Sequence, residues 1–226
     1  MKTLALLFSL FFVCPLSLWS QSVGELLPKL SEALSEGKDS YAVSLFRQSA
    51  SANMEQTEMF YWTNVDKNSA VAPKLANEMA TLYKKKRNYD KAYLFYREYL
   101  QHSPEDVSAL VACAEMEMMR GKEADAVKTY EKVLMLDADN LQANIYLGNY
   151  YYLQAENVKK KLEEDFKKIS SPTRMQYARY RNGLSDVFTG SYSKAKKYLQ
   201  RVLQLFPSTE AGKTLEKIKK VELELK

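Results

Sequence analysis

The chain has 226 residues, 46% hydrophobic and 27% charged, with 33 Lys and Arg against 28 Asp and Glu for a net charge of +5. This is a globular and not a disordered composition, and the two signs of charge are interspersed, so the balance gives no nucleic-acid footprint. Seven Gly and six Pro leave little turn punctuation, which suits helices joined by tight turns.

The first twenty residues stand apart. Lys2 precedes an apolar run over 4–12 that only Ser9 interrupts, Pro15 breaks the stretch, and Ser20 offers a small residue at the cleavage position. This reads as a secretory signal peptide, 1–20, cleaved before Gln21. The run is short for a membrane span. Cys14 is a poor lipidation site, because Phe11, Phe12 and Val13 stand where a small residue is wanted. Cleavage removes Lys2 and no acid, so the net charge falls to +4. It leaves one cysteine, Cys113, which has no internal disulfide partner.

Residues 21–72 read as divergent helices. Segments 22–35 and 40–51 are helical, with Leu26, Leu27, Leu30 and Leu34 as an apolar stripe in the first. Pro28 moves the expected start of that helix towards Leu27, because proline is tolerated in a first turn. Segment 54–65 is a further apolar helix carrying Met59, Phe60, Tyr61 and Trp62.

From residue 73 onward the chain repeats itself. Ala92 recurs as Ala126, Tyr96 as Tyr130 and Leu100 as Leu134, each 34 residues on. Small residues recur at Ala80, Ala114, Gly148 and Gly183, and closing residues at Pro104, Ala138, Pro172 and Pro207. Small side chains let two helices approach at their crossing, and proline ends a helix and opens the next. The pattern resembles the tetratricopeptide repeat, a helix–turn–helix of about 34 residues. The resemblance implies an all-α, right-handed solenoid of antiparallel helix pairs, about four repeats long. Its units are 73–106, 107–140, 141–175 and 176–209, closed by an amphipathic capping helix at 210–226 with Leu215, Ile218, Val221 and Leu225. Tyr83, Tyr96, Tyr130 and Leu199 then fill the space between pairs, and Cys113 stands at the leucine position as a small buried hydrophobe. Glu117 stands where an aromatic is expected. The third unit is irregular. Its second helix, within 156–170, carries a stripe of Val158, Leu162, Phe166 and Ile169 that is out of phase with the others. A longer connection is expected at 170–172.

No residues stand ready for catalysis. His102 is a lone turn histidine, no Cys/His cluster has metal-ligand spacing, and no Gly-rich loop or nucleophile elbow is present. The expectation is a protein that is not an enzyme and takes no cofactor and no metal. In tetratricopeptide proteins the first helix of each pair lines a concave groove. The resemblance places there Lys74, Asn77, Thr81, Lys84 and Lys85 from the first unit, and Glu115, Met118 and Met119 from the second. Gln142, Ile145, Tyr146, Asn149 and Tyr152 follow from the third, and Tyr177, Tyr180, Arg181 and Leu184 from the fourth. Tyr146 and Tyr152 read equally well as groove or as inter-repeat packing. Ala112 and Tyr146 replace two members of the carboxylate clamp that binds chaperone tails, so that ligand is not expected. The function implied is a non-catalytic protein–protein interaction scaffold of the cell envelope, periplasmic or secreted, binding a peptide or helical segment. The alternative is a glycan or peptidoglycan module using the Tyr-rich C-terminal groove. No nucleic acid and no stable membrane span after cleavage are expected, and the oligomeric state stays open.

Overall fold

The computed structural model describes residues 22–225, and among them there are helices and no strands. The predicted signal sequence and Cys14 lie outside the described residues. The chain divides into two compact units, one ending at Asp66 and one beginning at Lys67.

The N-terminal unit holds α1 (Val23–Ser35), α2 (Asp39–Ala52) and α3 (Met54–Asn64). Leu26, Leu30, Ala42, Leu45 and Phe46 are buried, and Tyr61 of α3 closes on Phe46 edge-on at 6.2 Å. The expected late start of α1 is corrected: the helix begins at Val23 and carries Pro28 inside it. Pro28 is the sixth residue of the helix, past the unpaired first turn, so it forfeits one ladder bond, the one its N–H would make to the Gly24 carbonyl. The burial of Leu26, Leu30 and Ala33 on one face outweighs that loss.

The C-terminal unit opens with two regular pairs, α4 (Ala72–Lys85) with α5 (Tyr89–His102), and α6 (Val107–Met119) with α7 (Glu123–Leu136). Ala80, Ala92, Ala114 and Ala126 are fully buried, as crossing points between close helices require, and Tyr83, Tyr96 and Tyr130 lie beside them. Each turn inside a pair stops its first helix in the same way. Arg87 and Gly121 take φ of 58° and 72°, and Gly37 of the N-terminal unit takes 67°. The N–H of the next residue reaches back five positions, Lys38 to Ala33, Asn88 to Tyr83 and Lys122 to Glu117. These are Schellman closures, which need a left-handed residue at the stop. The turns between pairs are capped by Asp106 and Asn140, whose side chains accept from the N–H of Ala109 and Ala143.

The next stop falls due at residue 155, 34 beyond Gly121, and there the chain has alanine. Arg87 shows that a side chain does not by itself forbid the left-handed stop, but alanine is the best helix former and Ala155 is fully buried in the core shared with α10. The helix runs on. The predicted helical pair within 141–175 is therefore corrected to one helix, α8, Leu141–Lys167, of 27 residues. The chain reverses at 168–173 and returns as α9 (Arg174–Val187), a π-helical turn (Phe188–Tyr192) and α10 (Ser193–Leu205). The partner of the near half of α8 is α10. Gly148 of α8 meets Leu199 of α10, and Leu147, Tyr151, Ala155, Tyr192, Ala195 and Val202 share their core. The far half of α8 is matched by α9, where Leu162 faces Gly183 and Phe166 stacks on Tyr180 at 4.4 Å. Val158 of the predicted stripe is 45% exposed. The 176–209 segment is thus not a helix pair of its own, and Pro172 stands at the end of a hairpin and not between repeats. α11 (Thr209–Glu224) packs on α10 and buries Ala211, Ile218 and Val221. The described residues hold four helix pairs: α1/α2, α4/α5, α6/α7 and α8/α10.

The π turn has a register reason. Tyr180 and Gly183 face the far half of α8, Tyr192, Ala195, Leu199 and Val202 face the near half, and Val187 is buried in the same core as the second group. The step from Val187 to Tyr192 is five residues, one more than an α-helix allows on one face, and the Ser193 N–H bonds to the Phe188 carbonyl across the wider turn. Gly190 is exposed, with no atom near the place a Cβ would take. Deleting Gly190 converts the step to four and the π turn to α. The expected result is a folded protein whose unfolding free energy, from urea titration, lies within about 1 kcal/mol of the parent, because the register that matters is kept. Deleting Lys197 from the middle of α10 is expected to unfold the hairpin. Equal damage from the two deletions would contradict this account.

Candidate functional site

The first helices of the three C-terminal pairs present a common face. Glu115 of α6 links its neighbours on both sides: it is paired with Lys84 of α4 and accepts from the side-chain amide of Gln142 of α8. Of the predicted groove residues, Lys74, Asn77 and Thr81 are exposed on α4, although the Thr81 hydroxyl is committed to the Asn77 carbonyl at 2.8 Å. Met118 is 39% exposed and Asn149 is exposed on α8. Tyr152 turns away from this face and tilts against Tyr192 at the base of the hairpin.

Between α6 and α8 this face deepens into a cleft of about 440 Å³ lined by Met118, Glu123, Tyr146, Asn149, Tyr150 and Leu153, with Gln154 and Asn157 at its far end. It exists because α8 continues where α6 turns, so the flank of α8 stands as a wall beside the turn. Tyr146 is held by both roles the sequence left open. Its ring packs on buried Tyr130 at 4.6 Å and stacks with Tyr150, and its free edge lines the cleft. The lining offers an apolar surface, three carboxamides and one carboxylate. That is a donor and acceptor set for a peptide backbone beside a recess for an apolar side chain. Leu153, Gln154 and Asn157 were missed by sequence reasoning because a turn was expected soon after Tyr152. The signal that marks them is Ala155 in place of a left-handed stop.

Tyr177, Tyr180 and Arg181 are not brought to this face. They sit on α9, beside the far half of α8. Phe166 covers one face of Tyr180 and meets Tyr177 edge-on at 5.9 Å, and Arg181 donates to the Leu225 carbonyl at 2.8 Å. They were placed in the groove by counting a fourth repeat from residue 176, and the uninterrupted α8 removes that phase. The Tyr-rich end proposed for sugars is these same rings.

Two buried groups of α6 are structural. Glu117 is 3% exposed and accepts from the Thr129 hydroxyl at 2.7 Å, and burial pushes its carboxyl above the usual range. Cys113 is 2% exposed, and burial pushes its thiol up to about 12. At pH 8 the folded protein is expected to react with a thiol reagent about a thousandfold more slowly than the urea-unfolded chain, since the thiolate is the reactive form. Similar rates in the two states would show that the thiol is accessible. Among the described residues no group of His, Cys, Asp and Glu is arranged to hold a metal ion, and His102 is exposed at the end of α5.

No protein-family model matches the chain, and no curated protein matches it. Among solved structures, a protein from Bacteroides ovatus ATCC 8483, provisionally described as protein-binding, is 61% identical over 91% of this chain and 100% of its own, with a TM-score of 0.80. The C-terminal part of a TPR repeat-containing protein from Cytophaga hutchinsonii is 12% identical over 86% of this chain and 73% of its own, at a TM-score of 0.36. A thermophilic TPR protein of Thermus thermophilus is 12% identical over 89% of this chain and 100% of its own, at 0.33. The last two superpose too loosely to add to what the helix pairs themselves establish. With its 34-residue phase, its buried alanine crossings and a relative that is three-fifths identical along its whole length, the chain belongs to the family of the Bacteroides ovatus protein, an all-α family built on tetratricopeptide-type helix pairs.

Proposed function

We propose that the protein is a non-catalytic scaffold that binds an extended or helical peptide segment of a partner protein on the face of α4, α6 and α8, with the cleft beside α8 as its anchoring point. The observation that carries this reading is the cleft, where Met118, Leu153 and the edge of Tyr146 are exposed together next to the side-chain amides of Asn149, Gln154 and Asn157. Met and Tyr are residue types that adapt to and anchor interfaces. The provisional protein-binding description of the Bacteroides ovatus relative agrees with it. The apolar segment at 4–12 supports a place for this scaffold outside the cytoplasm, in the cell envelope.

The test is selection of peptides from a displayed library, followed by titration of the best binder. Met118→Ala with Asn149→Ala is expected to weaken binding about tenfold or more, the loss typical of an interface anchor, while the urea midpoint is unchanged. Tyr177→Ala with Arg179→Ala, away from the cleft, is expected to leave affinity as it was. If the second pair weakens binding and the first does not, the site lies on the hairpin and this assignment fails.

A further inference from the structure

The whole-chain charge balance conceals an uneven distribution. From 166 to 209 the chain holds nine Lys or Arg and a single acid, Asp186. The other acids of the hairpin stand on its outgoing leg, at Glu156, Glu163, Glu164 and Asp165, where Lys159 and Lys160 pair with Glu163 and Glu164. The return leg is therefore basic, and four of these cations, Lys167, Lys168, Arg174 and Arg179, fall within 166–179 at the end of the hairpin, where the same stretch holds no acid. Lys168 is paired with Asp165, and Arg181 is held by the Leu225 carbonyl. Lys167, Arg174 and Arg179 are exposed. Apolar side chains stand among them: Met175 is 73% exposed and Tyr177 is 52% exposed, with Pro172 in the exposed turn between the helices.

We propose that the end of this hairpin, residues 166–179, docks on the surface of an anionic lipid bilayer. Three cations flanking an exposed methionine and tyrosine match a membrane interface, where the cations meet lipid phosphates, tyrosine sits at headgroup level and methionine reaches the acyl boundary. The shape favours a bilayer over an acidic protein. The far half of α8 carries the end about 18 Å beyond residue 155 at the rise of an α-helix. A two-helix end is convex and narrow, whereas a stable protein interface buries about 800 Å² on each partner. A bilayer deforms around a narrow end and needs no matching pocket. No helix among the described residues is long and apolar enough to cross a membrane, so the contact is a surface one.

Co-sedimentation with vesicles tests this. The intact protein is expected to pellet with vesicles of equal parts phosphatidylcholine and phosphatidylglycerol and not with phosphatidylcholine alone, and to be released by added salt. Lys167→Gln with Arg174→Gln is expected to lower partitioning about thirtyfold, the share of two cations at an anionic surface. Met175→Ser is expected to lower it at unchanged charge. Lys197→Gln with Lys219→Gln removes the same charge outside the tip and is expected to change little. Circular dichroism shows that each variant remains folded. No binding to the anionic vesicles overturns the proposal. So does an equal loss from the Lys197 and Lys219 pair, which would make the attraction general. Binding of polyglutamate through the same tip residues in the absence of vesicle binding would identify an acidic protein as the partner, and overturns it too.

Discussion

Gly148→Val is expected to destabilise the C-terminal unit by about 3 kcal/mol or more, seen as a fall of about 6 to 12 °C in Tm for a chain of this size. A Cβ built at Gly148 lies 2.8 Å from both Cγ and Cδ2 of Leu199 and 3.5 Å from its backbone nitrogen. Leu199 is 2% exposed, so it has no open space to turn into. Valine adds three carbons to a crossing that leaves room for none. Its gain in helix propensity over glycine is about 0.5 kcal/mol, too small to compensate. Gly148→Ala meets the same clash with one carbon and recovers about 1 kcal/mol of propensity, so its net effect is expected to be small and destabilising. Combining Gly148→Val with Leu199→Ala should recover part of the loss, because the second change makes the space that the first needs. A Gly148→Val protein with an unchanged urea midpoint would show that α8 and α10 do not cross here.

The second large effect is expected at Tyr192, the last residue of the π turn. It is 1% exposed, its hydroxyl donates to Glu156 at 2.6 Å, and its ring is flanked by Tyr152 and Phe188. Tyr192→Ala removes a buried aromatic and is expected to cost about 3 to 5 kcal/mol. Tyr192→Phe keeps the ring and gives up a hydrogen bond to a carboxylate, a loss of about 1.5 to 3 kcal/mol. Site-resolved hydrogen exchange locates the damage. Amides of the far half of α8 and of α9 should lose protection first, because the hairpin depends on this junction, while α4 to α7 keep theirs. Uniform loss of protection through the C-terminal unit would mean that the hairpin and the repeats unfold as one, against this prediction.

The same junction explains what the sequence made legible. Ala80, Ala114 and Gly148, with Ala92 and Ala126, are in phase because each crossing admits only a small side chain, and a steric rule of that kind is written in residue identity. The pairing of Gly148 was not readable from spacing alone. Its opposite number stands 51 residues along the chain, beyond an insertion that is itself helical and amphipathic. Helical periodicity shows that a segment forms a helix and which side is apolar, but not whether the next turn is made. At the phase where Arg87 and Gly121 turn left-handed, residue 155 is an alanine buried inside the continuing helix. The candidate site follows the same division. Lys84, Glu115, Met118 and Asn149 could be placed from the repeat phase. Tyr177, Tyr180 and Arg181 could not, because the phase they were counted in ends at the hairpin.

The stop that α8 lacks also sets how the hairpin can change. Its two legs are ordinary α-helix lying against each other, and the π turn has already absorbed the misfit between the near and far halves. Seven residues added to each leg would turn its contact side by only about 20°, and would carry the end about 10 Å further out. One or two residues added to a single leg would rotate a whole flank of apolar side chains into water. The hairpin is in effect a telescoping arm with fixed notches. Relatives of this chain should differ in the length of the arm by matched heptads, with the repeats at its root undisturbed.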